Sequence, residues 1–152
     1  MKAYFGTYFF VVLALLAGMM MPTQAVINNR LAGFLESPVL AAFVSFVVGT
    51  LALLVYIIAA GIPLGNLTSL KNASFILWTG GILGAFFVTS AAILVPKLGV
   101  ALTFSLIVGG QMAVTLVLDH YGFFGAPVKE VNTMRMLGVA FVIAGVVLIR
   151  KY

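Results

Sequence analysis

Long apolar runs separated by short polar segments dominate the pattern along the chain. Each run is long enough to cross a bilayer as a helix, which takes about 20 apolar residues. We predict five transmembrane helices, over residues 3–27, 38–60, 74–95, 100–121 and 134–149. A transmembrane β-barrel would instead show strands of about ten residues with alternating apolar and polar positions. The pattern therefore predicts an all-α integral membrane protein with a single transmembrane domain over residues 1–152.

Residues with strong positional preferences mark the ends of these helices. Ser37 is a good N-cap, and Pro38 suits the first turn that follows it. Pro96 should end the third helix because proline lacks the backbone N–H that a helix interior needs. Gly122 is placed to cap the fourth helix, and Thr133 to cap the fifth. These signals give short connections between the predicted spans.

The composition strengthens the membrane assignment and excludes several kinds of chemistry. Hydrophobic residues make up 64% of the chain and charged residues 7%, with a mean hydropathy of +1.27. Soluble domains have roughly 45–50% apolar and about 25% charged residues. The chain has no cysteine, so disulfides and thiolate chemistry are impossible. The first apolar run, 3–21, exceeds the roughly 7–15 residues of a signal peptide core, so we expect it to remain as a span.

The net charge of +5 does not require a nucleic-acid partner. All eight basic residues lie at or near the ends of predicted helices. Lysine and arginine in such positions anchor a span at the lipid headgroups. We therefore expect membrane lipid as a partner and no nucleic acid.

A polar stripe runs along the fourth predicted helix, 100–121. Gln111 lies in the middle of the helix, and Thr103, Thr115 and Asp119 are separated from it by multiples of four residues. Residues with this spacing share one side of a helix. Polar groups within a membrane span usually face protein or water. Gln111 and Thr115 are therefore candidate substrate-binding residues.

Two further amides follow Pro22 in the first predicted helix. Gln24 and Asn28 are one helical turn apart on one face. They are either interfacial residues at the end of a helix, or the lining of a cavity beside a proline-loosened segment. Gln111 and Gln24 would offer amide donors and acceptors in a pocket walled by Met, Phe and Leu, which would suit a neutral or zwitterionic amphiphile. A bare cation would require a buried carboxylate.

Asp119 and His120 are the only aspartate and the only histidine of the chain. On a helix, adjacent side chains point about 100° apart, so these two do not form a ready catalytic dyad. They are either an ion or interface pair at the end of the helix, or groups that gate or couple transport. The sequence has no paired carboxylates, metal-ligand cluster or phosphate loop. We expect no enzymatic activity, no cofactor and no metal.

Small residues recur on helix faces and predict close helix packing. Gly80 and Gly84 form a GxxxG pair, and Gly138 and Gly145 lie two turns apart. Gly49 belongs to a third face of this kind. Close approach of two membrane helices is the usual role of such residues.

The basic residues are divided equally between the two sides of the membrane. An odd number of spans places the termini on opposite sides. One side carries Lys2, Lys71, Lys129 and Arg135, and the other Arg30, Lys97, Arg150 and Lys151. Because lysine and arginine set orientation, this balance predicts dual topology, in which the chain inserts both ways and forms an antiparallel dimer. In a chain with few charges, the balance can also arise by chance.

Several short motifs occur in a characteristic order along nearly the whole chain. They are Gln24-Ala25-Val26-Ile27-Asn28, Ser37-Pro38, Ala41-Ala42, Ser45-Phe46, Gly49-Thr50, Gly80-Gly81, Leu83-Gly84-Ala85, Pro96-Lys97-Leu98-Gly99, Gly110-Gln111, Leu118-Asp119-His120-Tyr121-Gly122, Leu137-Gly138 and Ala144-Gly145. Their order and spacing resemble the short five-helix YdcZ-type branch of the bacterial drug/metabolite transporter (DMT) superfamily.

The resemblance implies a multi-pass exporter of the bacterial inner membrane. It implies alternating access in a dimer, either an antiparallel homodimer or a heterodimer with a paralogue, and an unknown small organic substrate. The chain is also distantly similar to the four-helix small multidrug resistance transporters. Those proteins use a glutamate in helix one, whereas the first predicted helix here has no acidic residue. A dimeric passive ion channel and an accessory membrane subunit are the alternative functions.

Overall fold

Five long helices form the protein in a computed structural model that describes the backbone of residues 2–152 and the side chains of residues 8–152. The helices are α1 (Lys2–Leu35), α2 (Pro38–Ala59), α3 (Thr79–Leu98), α4 (Val100–Tyr121) and α5 (Thr133–Lys151). Three 3-10 helices cover Leu64–Asn72, Phe75–Trp78 and Phe123–Gly125. All five α-helical segments are long and apolar enough to span a membrane. The predicted all-α fold with five transmembrane helices is confirmed.

The chain folds as two compact units, Met1–Pro96 and Lys97–Tyr152. In the first unit α1 packs against α2, and in the second α4 packs against α5. Each unit has its own helix pair and its own connecting turn.

The first helix is longer than the sequence pattern predicts. It continues through Pro22 and past the predicted end at residue 27 to Leu35. Proline removes one helical hydrogen bond, but the flanking residues keep theirs, and such helices are tolerated in membranes. Beside the proline, the Thr23 hydroxyl donates to the Met19 carbonyl over 2.9 Å. The predicted end was wrong because polar Asn28 and its neighbours do not interrupt the helical backbone.

A two-residue turn joins α1 to α2. Glu36 has the left-handed φ of 52°, and the N–H of Ser37 donates to the carbonyl of Ala32 over 3.1 Å. This is a Schellman ending with glutamate where glycine is usual. The Ser37 hydroxyl then accepts from the Leu40 N–H over 3.3 Å, which confirms Ser37 as the cap and Pro38 as the start of α2. Because the turn is so short, residues equally far from it on α1 and α2 come side by side.

The bounds of α3 and α5 also differ from the predictions. α3 begins at Thr79 rather than at residue 74, because Phe75–Trp78 forms a separate 3-10 helix, and α5 ends at Lys151 rather than at residue 149.

Pro96 lies inside the last turn of α3, which continues to Leu98, because proline's fixed φ is compatible with a helix and only one hydrogen bond is lost. Asn132, not Thr133, caps α5, and its side-chain oxygen accepts from the Arg135 N–H over 2.9 Å. Asparagine is an even better N-cap than threonine, and the helix therefore begins one residue after it.

Small residues occupy the buried positions, and large apolar side chains face outward. Among the described side chains, the buried apolar ones are six alanines and one valine: Ala25, Ala32, Ala41, Ala42, Ala91, Ala92 and Val95. Lipid is as apolar as leucine, so membrane helices gain more from close backbone approach than from burying bulky residues. The outward leucines, phenylalanines and valines therefore belong to the surface that meets lipid or another protein chain.

Candidate substrate site

A cavity of about 590 Å³ lies along α1 and α2 in the first unit. Its volume is in the range of roughly 300–1,000 Å³ that is typical of small-molecule sites. The described residues that line it are Met20, Met21, Thr23, Gln24, Ile27, Asn28, Leu31, Val44, Ser45, Val48 and Gly49. None of these lining residues carries a charge, and most are apolar. The cavity can therefore hold an apolar body with a small uncharged or charge-balanced polar group.

Asn28 is the buried polar residue of this cavity. It is 1% exposed, and its Oδ1 accepts a hydrogen bond from the Ser45 hydroxyl of α2. Its Nδ2 has no hydrogen-bond partner among the described residues. A buried donor without a partner costs about 1–3 kcal/mol. The cavity wall thus contains a fixed amide whose N–H₂ group has unused donor capacity.

The depth of the Asn28–Ser45 pair follows from helix geometry. Ser45 lies two turns into α2, about 10 Å from its start at a rise of 1.5 Å per residue. The hydrocarbon core is about 30 Å thick, and a 22-residue α2 matches it closely. If α2 begins at the membrane surface, the pair lies about one third of the way into the core. Water is scarce at that depth, which makes a free amide donor a strong recognition element.

Gln24 lies one turn before Asn28 on α1 and is exposed in the same cavity. The structure therefore brings two of the predicted amides together. The interpretation of both as residues at a helix end required α1 to stop near residue 27, and this premise is wrong because α1 continues to Leu35. Their role in binding a substrate stays a prediction.

Gln111 and Thr115 belong to the second unit. Gln111 is exposed in the middle of α4, and the Thr115 hydroxyl donates to the Met112 carbonyl over 2.9 Å. Neither lines the cavity of about 360 Å³ between α4 and α5, whose wall is Ala101, Phe104, Ser105, Val108, Val142, Val146 and Ile149. Thr103, on the same predicted stripe, is fully buried and its hydroxyl has no partner among the described residues. A substrate contact for Gln111 or Thr115 stays a prediction.

Asp119 and His120 hold the connection between α4 and α5. The Asp119 carboxylate pairs with the Arg135 guanidinium, and its backbone carbonyl accepts from the Lys129 N–H over 2.8 Å. His120 Nδ1 accepts from the Val131 N–H over 3.4 Å. We call these five residues the α4–α5 clasp. Asp119 and His120 thus make different contacts within one small structure, and a gating or coupling role for them stays a prediction.

Arg135 completes the clasp from the first turns of α5. Its Nη1 donates to the Lys129 carbonyl over 2.8 Å and to the Glu130 carbonyl over 3.5 Å. Sequence reasoning missed this residue as a partner of Asp119, and missed Ser45 as a partner of Asn28. The available signal for Arg135 was a pair of opposite charges at two helix ends that a short loop connects. For Ser45 it was a hydroxyl at the same distance from the turn as an asparagine.

A double-mutant cycle should measure the Asp119–Arg135 ion pair. Asp119→Asn and Arg135→Gln, alone and together, are expected to show a coupling of about 1 kcal/mol, since the pair is only partly buried. Unfolding of the purified protein in mild detergent gives the four free energies. The control cycle pairs Arg135→Gln with Glu130→Gln, because Glu130 offers Arg135 only its backbone carbonyl. Equal coupling in the two cycles would contradict a specific ion pair.

One of the five predicted packing glycines has a neighbouring helix against it. A Cβ built at Gly84 of α3 would lie 3.4 Å from Cζ of Phe46 on α2, at van der Waals distance, so the Phe46 ring lies against this part of α3. No other part of the described chain comes within 4 Å of a Cβ built at Gly49, Gly80, Gly138 or Gly145. The packing role of these four stays a prediction and would need a second copy or another chain.

Comparison with known proteins identifies the family. A family model described as "Putative inner membrane exporter, YdcZ" matches residues 9–148 and therefore includes nearly all of the five helices. No curated protein and no solved structure gives a significant match. The predicted family and the predicted membrane location are confirmed. The chain belongs to the YdcZ family of the drug/metabolite transporter superfamily and is a multi-pass inner membrane protein of the exporter class.

Proposed function

We propose that the protein exports a small neutral or zwitterionic amphiphile by alternating access in an antiparallel homodimer. The observation that carries this proposal is the cavity along α1 and α2, where Gln24 and Asn28 are the amides of an otherwise mainly apolar wall. An amphiphile would place its apolar body against the methionines and aliphatic side chains. Its polar group would meet Gln24, whose amide can both donate and accept hydrogen bonds, and the free Nδ2 donor of Asn28.

The charge of the substrate follows from the lining of the cavity. A bare cation that leaves water for this site would lose its hydration without gaining a carboxylate, because none of the described lining residues is acidic. Desolvation of an unpaired charge is the largest penalty that a membrane site can impose. A zwitterion carries its own counter-charge, and a neutral compound carries none. Both suit amide recognition better.

The dimer follows from charge balance and from unused packing faces. Four basic residues on each side give the chain no preferred orientation. Two opposite orientations would generate the inverted repeat on which many transporters are built, with the site near the midplane. Gly138 and Gly145 have open space against them in the described chain, and two copies could approach closely there. Gln111, in the middle of α4, would then occur twice near the midplane, once in each copy, with Thr115 one turn away.

Transport of matched probes into and out of proteoliposomes tests this proposal. Three compounds share a phenyl ring: phenylalanine is a zwitterion, N-acetylphenylalaninamide is neutral, and phenethyltrimethylammonium is a permanent cation. We expect saturable flux of the first two above that of protein-free liposomes, and little flux of the cation. Gln24→Ala and Gln111→Ala should each reduce the flux about tenfold, the effect of one buried hydrogen bond. Asn66→Ala, an amide of the segment Leu64–Asn72, is the control and should leave the flux unchanged.

The outcomes separate the alternative functions. A preference for the cation would overturn the proposed substrate class. Rapid, non-saturable ion flux without movement of the organic probes would identify a passive channel. Absence of any flux and of any stabilisation by the probes, together with copurification of another membrane protein, would identify an accessory subunit. Unchanged flux in Gln111→Ala would remove Gln111 from the site.

A further inference from the structure

We propose that Asn28 is the selectivity residue of the α1–α2 cavity, and that it recognises a carbonyl or carboxylate oxygen of the ligand. This inference rests on the proposed function, since it names the chemical group by which the exported amphiphile is bound. The ligand class is therefore an apolar body that carries an oxygen acceptor, as in an amide, ketone, ester or carboxylate. Ammonium compounds of the same shape that carry no oxygen acceptor should bind more weakly.

The argument begins with the hydrogen bond between Ser45 and Asn28. A side-chain amide has a donor end and an acceptor end, and the ligand it selects depends on which end is free. Ser45 of α2 donates to Asn28 Oδ1 and thereby engages the acceptor end. The donor end, Nδ2, has no partner among the described residues although Asn28 is 1% exposed. A buried amide donor without a partner is rare in folded proteins, and a bound ligand or water is one of the partners that would satisfy it.

The position of Asn28 makes a ligand the fitting partner. Asn28 belongs to the wall of the cavity of about 590 Å³, which is large enough for a ligand of drug-like size. Gln24 is exposed one turn away on the same wall and can contact a second polar atom of the ligand. Met20 and Ile27 line the same cavity and can pack against the apolar body. An acceptor group on an apolar body would complete the donor that the fold leaves unpaired.

Ser45 acts as a positioning residue, because it determines which end of the amide remains free. If Asn28 turned by half a rotation, Nδ2 would bind the Ser45 oxygen and Oδ1 would face the ligand. The cavity would then prefer a donor such as an ammonium group. Removal of the Ser45 hydroxyl should permit both orientations and abolish the preference. Replacement of Ser45 by threonine keeps a hydroxyl and should keep the preference.

Binding of two probes with the same heavy-atom skeleton tests the inference. 4-Phenylbutan-2-one presents only an oxygen acceptor, and 4-phenylbutan-2-amine, protonated at pH 7, presents only donors. Isothermal titration of the purified protein in detergent should give a dissociation constant about tenfold lower for the ketone, which corresponds to about 1.4 kcal/mol. Asn28→Leu should reduce the ratio of the two constants to about one. Ser45→Ala should do the same, and Ser45→Thr should retain the tenfold preference.

Asn29→Leu is the matched control, because Asn29 is the adjacent amide on α1 and does not line the cavity. It should retain the preference for the ketone. Asn28→Leu is expected to fold, since an apolar side chain of similar size replaces a polar group with an unpaired donor, and Ser45 can bond within its own helix. A stronger affinity for the amine, or equal ratios in Asn28→Leu and Asn29→Leu, would overturn the inference.

This measurement is independent of transport. Selective ketone binding without flux in proteoliposomes would support the role of Asn28 and overturn the proposed exporter mechanism. Flux of the zwitterionic and neutral probes together with equal binding of ketone and amine would support the exporter and overturn the role of Asn28. Loss of both would overturn both.

Discussion

Two lysines appended after Tyr152 are expected to force the chain into one orientation and to abolish export. The predicted topology places four basic residues on each side of the membrane, so we expect neither orientation to be favoured. The addition would give the side with the C-terminus an excess of two, and the side richer in lysine and arginine remains cytoplasmic. An antiparallel dimer needs both orientations. A population with one orientation could form no such dimer, even though every helix remains intact.

Labelling of a single cysteine measures the orientation directly. The chain has no cysteine, so one cysteine placed at the extended C-terminus is the only thiol of this protein that a membrane-impermeant maleimide can label. With equal numbers of basic residues, about half of the molecules should react from outside intact cells. With the two lysines, almost none should react. Two appended glutamines, which add the same length without charge, should leave the half-labelled pattern and the export unchanged.

Complementation separates loss of the dimer from simple damage. A second variant with two lysines added next to Lys2 should adopt the opposite orientation, because the side with the N-terminus then carries the excess. Each variant alone should be inactive, and coexpression of the two should restore export. Labelling of all native molecules from one side only would contradict dual topology. A paralogue with the opposite orientation would then be the required partner.

The fold was largely predictable because the length of an apolar run is enough to identify a membrane-spanning helix. The predicted fourth helix, 100–121, agrees with α4 at both ends, since Gly122 provides a clear stop. The end of α1 was not predictable in the same way. Pro22 and Asn28 are residues that usually weaken or end a helix in water. In a membrane the backbone has no water to bond with, and the helix therefore continues to Leu35.

The candidate site was predictable in its residue types but not in its pairings. Gln24 and Asn28 were identifiable as polar groups in an apolar helix. The contact of Asn28 with Ser45 depends on the two-residue turn at Glu36. The backbone of Glu36 is left-handed, and the sequence does not indicate this because the residue is not glycine. The pairing of Asp119 with Arg135 depends equally on the path of the loop between α4 and α5. The type of residue at each position can be recognised from the local sequence. These contacts depend instead on the path of the turn and the loop that join the helices.

The most damaging single substitution in the second unit should be Gly122→Val. Gly122 ends α4 with a φ of 62° and donates its N–H to the Leu118 carbonyl. This left-handed conformation costs about 1–2 kcal/mol for a residue with a side chain. In addition, a Cβ here would lie 2.7 Å from Cγ2 of Val128 and 3.2 Å from the Ala126 carbonyl oxygen. We expect a loss of about 3 kcal/mol of unfolding free energy, the sum of the backbone penalty and of overpacking.

Gly125 supplies the matched control for this substitution. It also has a left-handed φ, 82°, but the described chain leaves open space where its Cβ would lie. Gly125→Val should therefore lose only the backbone penalty of about 1–2 kcal/mol. Unfolding in mild detergent measures the free energies of both variants, and the difference between them isolates the contact with Val128.

Because Val128 precedes Lys129, the same displacement should weaken the α4–α5 clasp. The Asp119–Arg135 coupling should then decrease in the Gly122→Val background and persist in Gly125→Val. Equal losses in the two variants would mean that the loop simply moves aside and that the clasp does not depend on its path.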